Sequence, residues 1–391
     1  VSLWLIFGVL LPILLLLQPY VLYPWSLGAF GRPRAQAPLR PRSDSEWPSV
    51  AVVLSARNEE AVLDQTLKSL LESDYPAEKL WIVLGSDAST DGTVPLAEQW
   101  ANTTGRVEVL DSEQRLGKAE MLNRLATESQ ADWLLFTDAN IRFDALCIRY
   151  MVGCALDREA TAVGGRICDA LDEPILGVAR DESRYLAFEN RLREAESRHW
   201  GAVIGVEGGC LLLKRSAFRP IPPGTAVDDF YQNLQVIEAG GRVLFEPRAR
   251  VWERDAADES GEYRRKRRIG LGNRQNLLRF GSLLWKRPYP VGYALLSHKF
   301  LRWGTALWLF WLALGLLGWA WSGSDWASAL FVFGLCLVGL SMGPLKKRVF
   351  FRSIRHFILM NLALTEGLIL SYGSRPHHWE PTRREEPTQP H

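Results

Sequence analysis

Apolar residues along this chain occur in two kinds of pattern, long unbroken runs near the ends and short runs spaced by amphipathic stretches in the middle. Leu3 to Leu22 is almost wholly apolar and long enough to cross a bilayer. Pro12, Gln18 and Pro19 interrupt it, which a spanning helix tolerates. In the middle, Val50 to Leu54, Leu80 to Leu84, Val107 to Leu110 and Trp133 to Phe136 read as buried strands. Between the first two, Glu59 to Leu71 sets Ala61, Val62, Leu67, Leu70 and Leu71 on one helical face. A helical pattern after Asp229 runs to Ala239 and stops at Gly240-Gly241, and Val243 to Phe245 is another short strand. Strands alternating with helical patterns predict an α/β fold with a mixed, mostly parallel sheet. Phe300 to Trp321 and Trp326 to Met342 are again apolar enough to span, so transmembrane helices flank the α/β domain. Ile354 to Tyr372 is apolar but carries Arg355, His356, Asn361 and Glu366, which suits a helix lying at the membrane surface or a further span.

Charge sets an orientation. The net charge is only +2, so no global field argues for nucleic acid as a partner. Arg32, Arg34, Arg40 and Arg42 follow the first apolar run, and Lys346, Lys347 and Arg348 follow the last strong one. By the positive-inside rule these clusters and the polar middle face the cytosol, and the first run reads as an uncleaved anchor, without the basic start of a signal peptide. Many of the 16 tryptophans sit in or beside the apolar runs, as interface belts do. The five cysteines show no CxxC spacing and read as reduced, mostly buried thiols.

Candidate chemistry clusters where the predicted strands end. Trp133 to Phe136 leads into Thr137-Asp138-Ala139-Asn140, and on an extended chain Asp138 and Asn140 share a side, facing one ion. In open α/β sheets ligands bind outside the carboxyl ends of strands. A hard divalent cation that shares phosphate ligands needs one or two protein carboxylates; acidic residues are also common in plain turns. Asn58, Glu59 and Glu60 close the first strand, either as a helix start with Asn58 as N-cap or as a nucleoside pocket. Asp87 ends the second strand and reads as a turn residue or as an acceptor for a base N–H. Lys118, in Arg115-Leu116-Gly117-Lys118, is a turn residue or a phosphate ligand at a helix start, but the spacing is not that of a Walker loop. Gly208-Gly209 permits close approach by backbone or ligand. Asp228 and Asp229 follow Pro222-Pro223-Gly224, where one can cap a helix and the other act as a general base. Arg264 to Arg268 is a basic run, suited to lipid headgroups or to a leaving diphosphate.

The order of these motifs (NEE, DASTDGT, LGKA, TDAN, EGG, VDD, EPRA and the basic run) resembles membrane-bound family-2 glycosyltransferases, in the poly-N-acetylglucosamine, hyaluronan and cellulose synthase branch. The resemblance covers about residues 48 to 280. It implies a GT-A, Rossmann-like nucleotide-sugar domain and inverting transfer from a nucleotide sugar, usually a UDP-sugar. It implies nucleotide-binding roles for Asn58, Glu59, Asp87, Lys118 and Asp138, and a divalent metal, Mg2+ or Mn2+, at Asp138 with Asn140. Asp229 matches the proposed base, with Asp228 the acidic residue before it. Gly208, Gly209, Arg265 and Arg268 fall at the acceptor and diphosphate side. The family's processive members carry Q-x-x-R-W; here the stretch is Arg265-Lys266-Arg267-Arg268-Ile269, which keeps the arginine and lacks the aromatic.

The expected layout is an anchor over 1–30, a linker over 31–48, a cytosolic GT-A domain over 49–280 and an interfacial segment over 281–299. Two transmembrane helices over 300–344 follow, then an interfacial or third spanning helix and cytosolic tail over 345–391. The expected protein is a multi-pass enzyme of the cell inner (plasma) membrane that transfers sugar to a polysaccharide or lipid-linked acceptor, with a membrane partner subunit for export. The alternatives are single-sugar transfer to a polyprenyl phosphate or glycolipid, and a non-catalytic membrane scaffold that retains the fold.

Overall fold

A computed structural model describes residues 3–28, 38–169, 178–253, 259–343, 345 and 348–370. Arg32, Arg34, Lys346, Lys347 and the tail over 371–391 lie outside the described residues. The chain divides into two compact units, one built on Arg32–Glu173 with Leu186–Ala257, the other on Val1–Gly31, Pro174–Tyr185 and Asp258–Gly373.

The first unit is organised by an eight-stranded sheet. Its strands are β1 (Val50–Ala56), β2 (Leu80–Asp87), β3 (Val107–Ser112), β4 (Trp133–Asp138), β5 (Ile141–Phe143), β6 (Ala162–Asp169), β7 (Leu211–Lys214) and β8 (Val243–Glu253). The spatial order is β3-β2-β1-β4-β7-β6-β8-β5. The first four pair in parallel; β1, β2 and β4 are buried on both faces, whereas β3, at the edge of the sheet, exposes Glu108 and Asp111 and is not the buried strand expected. Helices Glu60–Leu71, Thr93–Thr104 and Lys118–Glu128 make the crossovers. Register sets Ser55 opposite both Gly85 and Asp138, so three strands end level and their tips form one edge. β7 then enters antiparallel to β4, with Phe136 opposite Leu211. This brings the Gly208–Cys210 turn, which precedes β7, against the end of β4, where Thr137 Oγ1 donates to the Gly209 carbonyl at 2.9 Å.

Three more strands differ from what the pattern suggests. β6 contains Gly164-Gly165, which normally weakens a strand. Here a Cβ on Gly164 would stand 2.2 Å from Val206 Cγ1, so the glycine is the condition for packing. β8 runs to Glu253 and is far longer than Val243 to Phe245. Pro247 falls inside it, where the register with β6 jumps from Gly165↔Glu246 to Arg166↔Arg250, a bulge that absorbs the proline. The buried Glu246 carboxylate is satisfied there by Arg248 Nε at 2.8 Å and Nη2 at 2.9 Å. β5 is too short for a periodicity signal and is held by pairing with the end of β8.

The second unit is helical. Leu3–Ser26 and Asp325–Met342 are long and apolar enough to cross a membrane. Pro12, Pro19 and Pro24 remove N–H donors from the first, which accommodates them with π-helical turns at Ile6–Leu10 and Gln18–Leu22. The apolar run expected from Phe300 does not start a straight helix. Pro288–Trp303 and Thr305–Trp321 meet at a 66° bend at Gly304. Freed carbonyls at the bend are taken by side chains, with Trp308 Nε1 donating to Leu301 O and Thr305 Oγ1 to Arg302 O, both at 2.7 Å. The Val349–Leu370 helix packs on Glu259–Phe280 through glycines: a Cβ on Gly270 would lie 2.2 Å from the Leu364 carbonyl. Glu366, costly in an apolar helix, is paired with Arg267 at 3.0 Å and accepts from Tyr263 at 2.7 Å.

Leu54 lies in the middle of the sheet, fully buried. Leu54→Ala is expected to lower the unfolding free energy by roughly 2–5 kcal/mol, read from the denaturant midpoint of the detergent-solubilised chain.

Candidate active site at the carboxyl edge of the sheet

The loops that follow β1, β2 and β3 are tied to one another in sequence. Asn58 has a positive φ of 53° and is not the N-cap; Glu59 holds that position. The Asn58 side chain instead accepts from the Thr90 amide at 2.8 Å. Glu60 accepts from the Gly92 amide at 2.8 Å, and Glu59 N donates to Thr93 Oγ1 at 2.9 Å. The NEE and DASTDG segments are thus one interlocked structure. Asp87, buried at the end of β2, accepts from the amides of Leu116 at 2.6 Å and Gly117 at 3.1 Å. Its carboxylate therefore holds the turn that launches the Lys118–Glu128 helix. Gly117, at φ 86°, turns the chain there in a conformation that only glycine adopts cheaply.

That turn aims Lys118 across the edge. Its Nζ lies 2.8 Å from Asp138 Oδ1 at the end of β4 and 3.4 Å from Asp228 Oδ1 at the start of the Asp228–Glu238 helix. Burial pulls the Lys118 pKa down, but Asp138, Asp228 and then Asp229 outweigh it and hold the ammonium above the usual lysine range. Beside it, Asp229 Oδ2 accepts from Gly208 N at 2.7 Å and Oδ1 from Phe230 N at 2.6 Å. A Cβ on Gly208 would stand 3.1 Å from Asp229 Oδ2, so a side chain there would crowd the carboxylate. Burial first, then the Asp228 charge, push Asp229 up to about 6; Lys118 and the Phe230 amide pull the other way.

Lys118, Asp138, Asp228, Asp229 and Gly208 are therefore brought together. Gly209 packs on Ile141, where its missing Cβ avoids a contact of 2.8 Å. Asn140 is placed differently from the alternation argument. β4 ends at Asp138 and the chain turns at Ala139-Asn140, so the period of two no longer applies, and the Asn140 amide donates to Glu253 at 3.4 Å. Arg265 and Arg268 lie on the Glu259–Phe280 helix of the other unit, where Arg265 donates to Glu262 at 2.8 Å. Sequence reasoning passed over Arg193, which is buried, donates to the Gly205 carbonyl at 3.0 Å and pairs with Glu207, just ahead of the glycine pair. Its only signal was an arginine on an otherwise unremarked helix.

Among the described residues no three His, Cys, Asp or Glu side chains group as a self-sufficient metal site. The donor set does fit a cation shared with phosphate oxygens, because Asp138 and Asp228 already converge on one positive centre.

A mixed sheet with its polar groups gathered at the level ends of parallel strands is a GT-A, Rossmann-like fold. The mannosyltransferase PcManGT from Pyrobaculum calidifontis, solved in complex with GDP-Man and Mn2+, shares it, with a TM-score of 0.69 at 23% identity over 92% of this chain and 98% of that one. Residues 51–221 match the family described as Glycosyl transferase family 2. The probable glycosyltransferase YdaM of Bacillus subtilis is 24% identical over 253 residues, 62% of this chain and 59% of that protein. The poly-beta-1,6-N-acetyl-D-glucosamine synthase of Staphylococcus aureus is 24% identical over 270 residues, 68% of this chain and 63% of its own length. The chain thus spans under two thirds of either relative.

A carboxyl group raised from 3.8 to about 6 makes the native state hold a proton that the unfolded chain has already lost between those values. Stability therefore falls as pH climbs through that window, and the deficit is complete above it. Asp229→Asn removes this pH-dependent cost but also one of the two amide bonds, so the stability of the variant relative to wild type is expected to rise by roughly 1–3 kcal/mol between pH 4 and pH 7.5, measured by thermal unfolding at both.

Proposed function

We propose that this protein is a membrane-anchored, inverting glycosyltransferase that moves a sugar from a nucleotide donor, a UDP-sugar first, to a polysaccharide or lipid-linked acceptor. The observation that carries the reading is the convergence of Asp138, Lys118 and Asp229 at the carboxyl edge of the sheet. Asp229 would act as general base. Two backbone amides fix its carboxylate, and a pKa near the working pH favours proton transfer. As the acceptor O–H proton passes to Asp229, the acceptor oxygen bonds to the anomeric carbon. The bond from that carbon to the diphosphate breaks on the opposite face, which inverts the centre. Lys118 would meet the diphosphate and offset the charge that develops on it. Asp138, with Asn140 or Asp228 near it, would hold a divalent ion, Mg2+ or Mn2+, whose chemistry is to neutralise the leaving phosphates. Asn58, Glu59 and Asp87 would shape the nucleoside end through the loops they tie.

The S. aureus relative is named for polymer synthesis, which supports a sugar polymer as acceptor. A second reading is favoured by Ile269. It stands where processive members have an aromatic, and single-sugar transfer to a polyprenyl phosphate or glycolipid does not need that platform. The complex of PcManGT with GDP-Man makes GDP-sugars the second donor class to test. The apolar helices and the positive clusters support residence in the plasma membrane with the sheet unit in the cytosol.

Donor hydrolysis screened across UDP- and GDP-sugars with Mg2+ or Mn2+ would identify the donor. One added sugar or a ladder of products would separate the two acceptor readings. Asp229→Asn is expected to lower kcat by about 100-fold or more while nucleotide affinity changes little. Near-wild-type turnover in a folded variant would sink the assignment. In the wild type, kcat/KM is expected to rise with pH and level off above about 6, as Asp229 loses its proton.

A further inference from the structure

The contact between Lys118 and two aspartates is an unexpected resting place for a lysine assigned to a phosphate. The root of Lys118 is rigid, because Asp87 fixes the amides of Leu116 and Gly117 ahead of it. Its four-carbon stem has the rotatable bonds to swing about that root once the ion pairs are given up. Asp138 and Asp228 come from separate elements, the end of β4 and the start of a helix, yet both face the same ammonium. Without that charge they would repel each other and Asp229. One turn further along the same helix, Gln232 is 2% exposed, and among the described residues neither its amide nitrogen nor its oxygen has a partner. Four residues on from Asp228, Gln232 shares its helix face, and its hydrogen-bonding capacity is unused.

We propose that Lys118 is a tethered counter-ion that neutralises Asp138 and Asp228 while the donor is absent and gives them up to a divalent cation when the donor diphosphate arrives. Asp228 then supplies the second carboxylate that Asn140 does not. The exchange is balanced in charge. The ammonium leaves two carboxylates and meets a diphosphate, and the carboxylates trade one cation for another. A site built this way admits its metal only together with nucleotide, which would restrain free metal from occupying the corner alone.

The proposal rests on the donor-corner reading above, and its test does not need turnover. Mn2+ binding to the full chain in detergent, without nucleotide, is followed by loss of the free-ion EPR signal. Wild type is expected to bind weakly, and Lys118→Met about tenfold more tightly or better. Adding Asp228→Asn to Lys118→Met should remove the gain. Lys118→Arg, which keeps the charge, should bind Mn2+ as weakly as wild type. Unchanged or weaker Mn2+ affinity in Lys118→Met, a gain that survives Asp228→Asn, or tight binding by Lys118→Arg would each overturn the exchange. Metal-dependent donor turnover by wild type alongside such a result would leave the transferase reading standing, whereas absence of turnover with the expected affinities would remove that reading alone.

Discussion

The Lys118 ammonium lies between carboxylates from two distant parts of the chain, Asp138 at the end of β4 and Asp228 at the start of a later helix. Three acidic groups at one edge could not stay charged together in a partly buried site without it. Asp229, next to Asp228, still carries the cost of burial and of that neighbouring charge as a raised pKa. The position of this lysine is therefore a constraint on everything around it. The turn before it, the aspartate that holds the turn and the strand that carries the aspartate must all be in register for the ammonium to reach both partners.

Backbone hydrogen bonds supply that register. Asn58 and Glu60 hold the loop after β2, and Asp87 at the end of β2 holds the turn before Lys118. Gly208, brought alongside by the antiparallel entry of β7, holds Asp229. Polar side chains assigned to a ligand on sequence grounds are thus partly occupied in fixing neighbouring loops. The two roles are compatible, since a carboxylate locked by amides is also a preorganised one. In the helical unit the same economy takes another form: glycines allow helices to approach backbone to backbone, and Glu366 finds Arg267 and Tyr263 instead of lipid.

The parts of the fold that were legible in the sequence are those whose signal is local. Apolar runs named β1, β2 and β4, the shorter Val107–Leu110 segment with Glu108 inside it named β3, the helical face of Glu60–Leu71 was visible in its spacing, and the resemblance carried by the motif order implied the GT-A fold. The long apolar runs marked the helices able to cross a membrane. Each depends on residues a few positions apart, where periodicity and composition hold the information.

What only the tertiary structure decided is whatever depends on a partner far along the chain. β6 is a strand because Gly164 and Gly165 admit Val206 and Cys210, and β8 continues past Pro247 because a bulge and the Glu246–Arg248 pair absorb the break. Asn140 turns toward Glu253 because β4 stops one step too soon to align it with Asp138. The sequence by itself determined which residues were chemically able to form the site. Their pairing, Lys118 with Asp228 and Gly208 with Asp229, could not be read there, because a contact between distant segments is set by packing and register and leaves no periodic trace in the chain.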